Sequence, residues 1–389
     1  MMRTNYWAQK ALYLPFHRFC FAIHTNHLSK LQINEFANNT KKNKLKDCKF
    51  TIPNIVIIIG ESYNKYHSQL YNYNKPTTPY QKTLEDKGKI VVFQDMISPN
   101  NITSDVFKNL LSLNDINQKE AWTDKPLFTQ LFKKAGYNVI FLTNQFVKSE
   151  NEDFIQFCGS VFLNNPDISK SQFCRRNTKM HQYDEGLIND YHKITKNIKN
   201  QYNLTIFHLI GQHMDYKNRY PHNFKIFTST DYNRSDLSSV NKGVIADYDN
   251  ATLYNDFVVN RITNEFEEQD AVIIYFSDHG EECFDENMGV GRSHGEITKN
   301  IAKYEFEIPF WIYTTEKFRK NHPEIYNQIV LSRNKPGSTD DIGHMLLYIG
   351  GISCPDYNER NNILSPNYNI KKRRMLRNNT DYDKLMSTK

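Results

Sequence analysis

Long apolar runs are missing from this chain. The strongest, Ile55 to Ile59, is far shorter than the ~20 residues that a membrane-spanning helix requires, and no signal peptide with a basic start and an apolar middle opens the sequence. As given, the chain therefore reads as something other than an integral membrane protein. Cysteine is sparse and unpatterned: Cys20, Cys48, Cys158, Cys174, Cys283 and Cys354 form no CxxC pair and no zinc-ribbon spacing, and their even number permits disulfides without demanding them. A strong excess of one charge is also absent. Forty-nine Lys and Arg against 43 Asp and Glu leave a net +6, too small and too dispersed for a nucleic-acid binder. The one dense basic run, Lys371 to Arg374 with Arg377 behind it, reads as a solvated tail, the alternative being contact with an anionic surface or lipid headgroup. No internal repeat appears. With 24% charged and 39% hydrophobic residues the composition is that of a globular chain rather than a disordered one.

What is present changes character along the chain. Residues 1–50 are basic and amphipathic, with aromatics at Tyr6, Trp7, Tyr13, Phe16, Phe19 and Phe21, and end in a polar connector from Asn38 to Lys46. They read as a juxtamembrane-like segment of helices lying against a larger body or a membrane face. From Thr51 the pattern is different. Asn54 to Gly60 is a β-branched run stopped by glycine, as expected of a strand buried on both faces. Tyr137–Leu142, Leu204–Ile210 and Ala271–Phe276 resemble it, and helical patterns at Lys125–Ala135 and Tyr248–Glu268 lie between. Alternation of apolar strands with helices predicts an α/β fold with a mostly parallel central sheet flanked by helices. The expected divisions are 1–50, a catalytic domain at 51–365 and a basic polar tail at 366–389.

In parallel sheets ligands sit beyond the carboxyl ends of the strands, so the residues there carry the functional reading. The first strand ends in Gly60-Glu61-Ser62, the third in Gly211-Gln212-His213 and the fourth in Ser277-Asp278-His279-Gly280-Glu281. Carboxylate and imidazole are ligands for zinc or similar divalent ions. Singly, Glu61 is as well explained as a helix N-terminal charge and His213 as a surface histidine. The adjacent Asp278 and His279 say more, because neighbours on an extended strand face opposite ways and can serve one metal only where the strand breaks, which Gly280 allows. A glycine-punctuated loop, Gly289 to Glu296, contains His294. A hydroxyl nucleophile is available in Ser98 to Asp105, ahead of a helical pattern at Val106–Leu113; such a hydroxyl is often only a helix cap, and spacing does not choose between Thr103 and Ser104.

The order Gly60-Glu61-Ser62, Thr77-Thr78-Pro79, the Thr103 loop, Gly211-x-His213, Ser277-Asp278-His279-Gly280-Glu281 and His294-Gly295 resembles the phosphoethanolamine transferases, lipid A type, of the sulfatase-like branch of the alkaline phosphatase superfamily. Tyr63 to Tyr73, Tyr216, Arg219-Tyr220-Pro221 and Tyr248-Asp249-Asn250 also resemble family positions, and the likeness runs from about residue 51 to 355. It implies an alkaline phosphatase/sulfatase-like fold, with Thr103 as nucleophile and zinc ligand and with Glu61, Asp278 and His279 completing a zinc site. His213 and His294 would bind substrate or exchange protons, and Asn100 and His67 would add to the substrate site. A second metal would draw on His213, Asp215 and His294. The implied donor is phosphatidylethanolamine and the acceptor lipid A, other lipopolysaccharide or another envelope group, at the periplasmic face of the inner membrane of a Gram-negative cell. The enzyme is expected to be a monomer on a membrane surface, and no nucleic-acid partner is expected. Members carry transmembrane helices ahead of the catalytic domain, and residues 1–50 resemble only the linker after them. A disulfide between Cys158 and Cys174 is expected as well.

Rivals differ at named residues. An arylsulfatase makes its nucleophile from Cys or Ser in a Cys/Ser-x-Pro-x-Arg motif, which no cysteine here occupies and which Ser98-Pro99-Asn100-Asn101-Ile102 does not match. A glycerol-phosphate transferase or phosphodiesterase would share the metal site. A catalytically silent binding domain would have lost a ligand, whereas Glu61, Thr103, Asp278 and His279 are all present.

Overall fold

The run Asn54–Gly60 forms β1, the middle strand of a seven-stranded sheet. In the computed structural model, residues 43–118, 120–145, 147, 161–287 and 289–388 are described, together with positions 20, 23, 24, 31 and 40. The other sheet strands are β2 (Ile90–Phe93), β3 (Asn138–Thr143), β4 (Arg175–Arg176), β5 (Asn203–His208), β6 (Ala271–Ser277) and β7 (Phe310–Thr314). Their order across the sheet is β2-β7-β6-β1-β5-β3-β4. β1 pairs in parallel with β5 and β6, β3 with β5 and β4, and β7 runs antiparallel between β6 and β2. The mostly parallel sheet expected from the sequence is present. β2, β4 and β7 were not anticipated, being short, and β4 is a pair of arginines that no hydrophobic pattern marks.

Alternation along β1 divides the interior in two. Ile55, Ile57 and Ile59 join one core with Phe128, Leu131 and Phe132, while Val56 and Ile58 join the other with Tyr254, Val258 and Ile262. The helices that supply these faces and the site are α1 (Thr103–Leu111), α2 (Phe128–Ala135) and α3 (Ser239–Asn264). α2 ends on Gly136 at φ +104°, a left-handed conformation that favours glycine and turns the chain into β3. α3 starts on the Ser238 hydroxyl, which accepts from the Asn241 amide.

The basic run near the carboxyl end is not the solvated tail expected. Lys371 and Arg373 are exposed, but Lys372 lies between Asp115 (2.8 Å) and Asp341 (2.6 Å), and Arg374 is 5% exposed, gripping Asp95 and Asp383. Leu376 and Tyr382 are buried with Ile97 and Phe306. Charge density reveals nothing of carboxylates waiting far away in sequence. Among the described residues no helix is long and apolar enough to cross a membrane. Most of residues 1–50 lie outside the described residues.

Candidate active site and metal centre

Because β1, β5 and β6 are parallel, their carboxyl ends share one edge, and the reactive groups collect there. β1 hands on Glu61, β6 hands on Asp278 and His279, and α1 opens with Thr103. Two glycines permit the close approach. A Cβ on Gly280 would stand 2.1 Å from the Tyr304 carbonyl oxygen, and Gly211, at φ +44°, lies against the Glu61 backbone. The first turn after β1 is strained, since Ser62 is left-handed at φ 55°. It is held there by its amide donating to Asp278 Oδ1 (3.1 Å) and its hydroxyl donating to Glu61 Oε1 (2.7 Å).

Thr103 Oγ donates to Glu61 Oε2 at 3.0 Å and lies 3.4 Å from His279 Nε2. His279 Nε2 is in turn 3.4 Å from Glu61 Oε1 and 3.2 Å from Asp278 Oδ2. All three ligand-bearing residues are fully buried, and theirs is the one cluster of metal-ligand type found among the described residues. Three observations make it a fit for a divalent cation. His279 Nδ1 donates to the Gly280 carbonyl (2.8 Å), so the Nε2 lone pair faces inward. Asp278 Oδ2 is buried with no hydrogen-bond partner among the described residues, the Thr103 proton being directed at Glu61. Burial and the charge of Glu61 push the Asp278 carboxyl well above its ordinary range, the response of two crowded carboxylates without a cation between them. Burial also raises the Glu61 carboxyl, but the hydrogen bond and charge of His279, with the charge of His213 and the Gln145 amide, outweigh it and hold it well below the usual range. Burial lowers His279 against the hydrogen bond and charge of Glu61, and its Nε2 faces the Arg292 guanidinium, which a bound cation would displace.

The other expected site residues are placed unevenly. His213 is half-buried, close enough for its charge to act on Glu61, and its Nδ1 has no partner among the described residues. His294 is exposed on the loop after Arg292, and Asp215 is exposed with φ 66°. His213, Asp215 and His294 do not form a second ligand cluster among the described residues. Asn100 is buried, its carbonyl accepting from the Ser98 hydroxyl. His67 is not brought to the nucleophile: it is 3% exposed and ion-paired through Nδ1 with Asp249 (2.6 Å) and through Nε2 with Asp285 (3.5 Å). Cys174 is exposed with a free thiol, and Cys158, its expected partner, lies outside the described residues.

Sequence reasoning missed three site residues. Gln145 donates to Glu61 Oε2 (2.9 Å) and to the Leu209 carbonyl. Arg292 reaches His279 Nε2 at 2.6 Å and Glu281 Oε2 at 3.3 Å, bringing a guanidinium to the cluster. Asn101, fully buried, ties the nucleophile's loop to Ser293 and Glu305. Arg292 stands in the glycine-punctuated loop that the sequence did mark; nothing local distinguishes the other two.

A central parallel sheet that delivers an Asp-His pair and a glutamate to a hydroxyl at a helix start defines an α/β fold of the alkaline phosphatase and sulfatase type. The chain belongs to the sulfatase family, whose sequence model matches residues 53–352. Within that family it is similar to phosphoethanolamine transferases. EptA of Helicobacter pylori is 32% identical over 326 residues, covering 81% of this chain and 58% of the relative. EptC of Escherichia coli strain K12 is 28% identical over 323 residues, covering 81% of this chain and 53% of the relative. The chain thus spans little more than half the length of these curated relatives. The crystal structure of the C-terminal periplasmic domain of E. coli EptC in complex with Zn superposes with a TM-score of 0.75 at 26% identity, covering 89% of this chain and 97% of that one. The phosphonate monoester hydrolase of Agrobacterium radiobacter, at 13% identity and TM-score 0.55 over 78% of this chain and 74% of its own, shares the fold.

Proposed function

We propose that this chain is the catalytic part of a metal-dependent phosphoethanolamine transferase, taking its group from phosphatidylethanolamine and passing it to an envelope acceptor such as lipid A or another lipopolysaccharide group. The observation that carries the reading is the Thr103 hydroxyl, hydrogen-bonded to Glu61 at the start of α1 and facing the buried Glu61, Asp278 and His279. The similarity to EptA and EptC supports the transferred group, and the zinc in the solved EptC domain supports the choice of metal.

One zinc ion would be held by Glu61, Asp278, His279 and Thr103, and when bound it supplies a lowered pKa at the Thr103 hydroxyl and charge neutralisation at the phosphoryl oxygens. The chain's own residues do the rest. Thr103 Oγ, its proton directed at Glu61, attacks phosphorus; the new O–P bond forms as the bond from phosphorus to the diacylglycerol oxygen breaks. The phosphoryl group on Thr103 would stand at the start of α1, where the positive end of the helix dipole favours its charge. His213 or His294 protonates the departing oxygen, and the same or the other removes the proton from the acceptor. The acceptor oxygen then attacks the phospho-threonine and Thr103 leaves. With a membrane lipid as donor, the reaction runs at the periplasmic face of the inner membrane, the chain acting as a monomer there.

Purified chain with zinc and fluorescent phosphatidylethanolamine tests this through release of fluorescent diacylglycerol. Thr103→Ala is expected to lose on the order of 10⁴-fold or more in rate with the fold intact, and Ser104→Ala to lose little. Equal losses would remove Thr103 from its role. No release from a zinc-loaded chain that still cleaves a soluble phosphoethanolamine ester would overturn the lipid donor.

A further inference from the structure

The proposed reaction needs two loops held in register: residues 99–103, which carry the nucleophile, and residues 292–296, which carry Arg292 and His294. Neither belongs to the main sheet. One side chain from the far end of the chain joins them. Arg377 donates through Nε to Asn101 Oδ1 (2.9 Å), through one terminal nitrogen to the Ser293 carbonyl (2.8 Å) and through the other to the Gly295 carbonyl (3.1 Å). Ser293 and Gly295 flank His294 on either side, and Asn101 stands two residues before Thr103. The Arg377 amide also donates to the Pro99 carbonyl (2.9 Å), and Asn101 Nδ2 closes the bracket by donating to the Ser293 carbonyl (2.8 Å).

The arm that presents Arg377 is anchored on both sides of it. Arg374 spans Asp95 and Asp383, Leu376 is 1% exposed, and the Tyr382 hydroxyl donates to Glu307 (2.8 Å). All three acceptors of Arg377 are used by one planar fork, a geometry that a lysine ammonium does not reproduce.

We propose that Arg377 is a positioning residue, which fixes His294 relative to Thr103 so that the histidine can exchange a proton with the leaving group or acceptor. The inference rests on the transferase reading of this site. Misplacement of a reacting group by about 1 Å costs on the order of 10²-fold in rate, which sets the size of the effect.

The test compares wild type, Arg377→Gln, Arg377→Lys, His294→Ala and the Arg377→Gln/His294→Ala pair, all as the zinc-loaded chain, by rate on fluorescent phosphatidylethanolamine and by NMR of ¹³C-labelled histidine. Arg377→Gln is expected to lower kcat on the order of 10²-fold with KM within roughly twofold, and Arg377→Lys to recover little of it. The double variant should be no slower than His294→Ala alone, because both changes remove one function. The His294 signal should shift and broaden in Arg377→Gln, with zinc content and the other histidine signals unchanged. Multiplying losses in the double variant, or an unchanged His294 signal, would overturn the proposal. Absence of any transfer by wild type would sink the transferase reading instead, and the NMR comparison would still decide the role of Arg377.

Discussion

His67 shows what a buried histidine does when its partners are carboxylates rather than a metal. Burial disfavours its charge, but Asp249 and Asp285 outweigh burial and raise the imidazole to about 10 from its ordinary 6.5. Tyr73 and Tyr232 donate to the other Asp249 oxygen, at 2.8 and 2.6 Å, so the carboxylate is fully engaged. A folded-state value above the unfolded one means that this stabilisation is complete below pH 6.5 and is lost as pH climbs through 10. Unfolding free energy should therefore decline with rising pH across that window, and less steeply in His67→Gln; parallel slopes from urea titrations would refute the pairing. The substitution itself should cost about 3–5 kcal/mol, because it strands a buried carboxylate. The sequence placed His67 among substrate binders because it stands in a family-like segment; Asp249 and Asp285, which decide its role, are remote in the chain. Glu61, Asp278 and His279 were legible for the opposite reason. Each abuts a strand whose β-branched run announces where it ends.

At the scale of elements, the turn after β6 is the most tightly determined piece of the site. Gly280 has backbone of the segment Ala302–Phe306 directly over it, and its amide donates to the Glu305 carbonyl at 2.9 Å. Gly280→Ala should lower stability by about 1–3 kcal/mol and weaken zinc binding together, because the added methyl must push Asp278 and His279 away from Glu61. Gly243 is the control: it lies in α3 with nothing within 4 Å of where a methyl would stand, so Gly243→Ala should raise stability by about 0.5–1 kcal/mol and leave zinc alone. Thermal unfolding and zinc titration of the two variants separate these outcomes. Helices were legible to within a turn or two at α2 and less well at α3, which begins nine residues before the pattern at Tyr248: its first turn, from Ser239 to Lys242, is exposed or only partly buried and is followed by Gly243, although Ile245 and Ala246 beyond it are buried. The short strands β2, β4 and β7 were not legible. β2 and β7 have strand-forming residues but run only four and five residues, and pairing with β3, not local propensity, makes a strand of the two arginines of β4.

For the molecule as a whole, the buried, mutually repelling Glu61 and Asp278 predict that metal and fold are linked. Zinc at one hundred times its dissociation constant should add about 2.7 kcal/mol to stability, and Glu61→Gln should abolish most of that increment without unfolding the metal-free chain. A zinc-independent midpoint would show that the folded chain does not bind the ion, and an increment that survives Glu61→Gln would show that it binds elsewhere. The sheet order has a further consequence, in time rather than in space. β1 precedes both of its neighbours, β5 and β6, by a long stretch of chain, so that Ile55 awaits Leu204 on one side and Val272 on the other. Until both exist, Ile55 to Ile59 is a bare apolar ribbon with two open edges, and closing it requires contacts of long sequence separation. Folding should be slow and its early intermediates prone to self-association, so that the yield of refolding, more than the stability of the finished protein, falls as concentration rises.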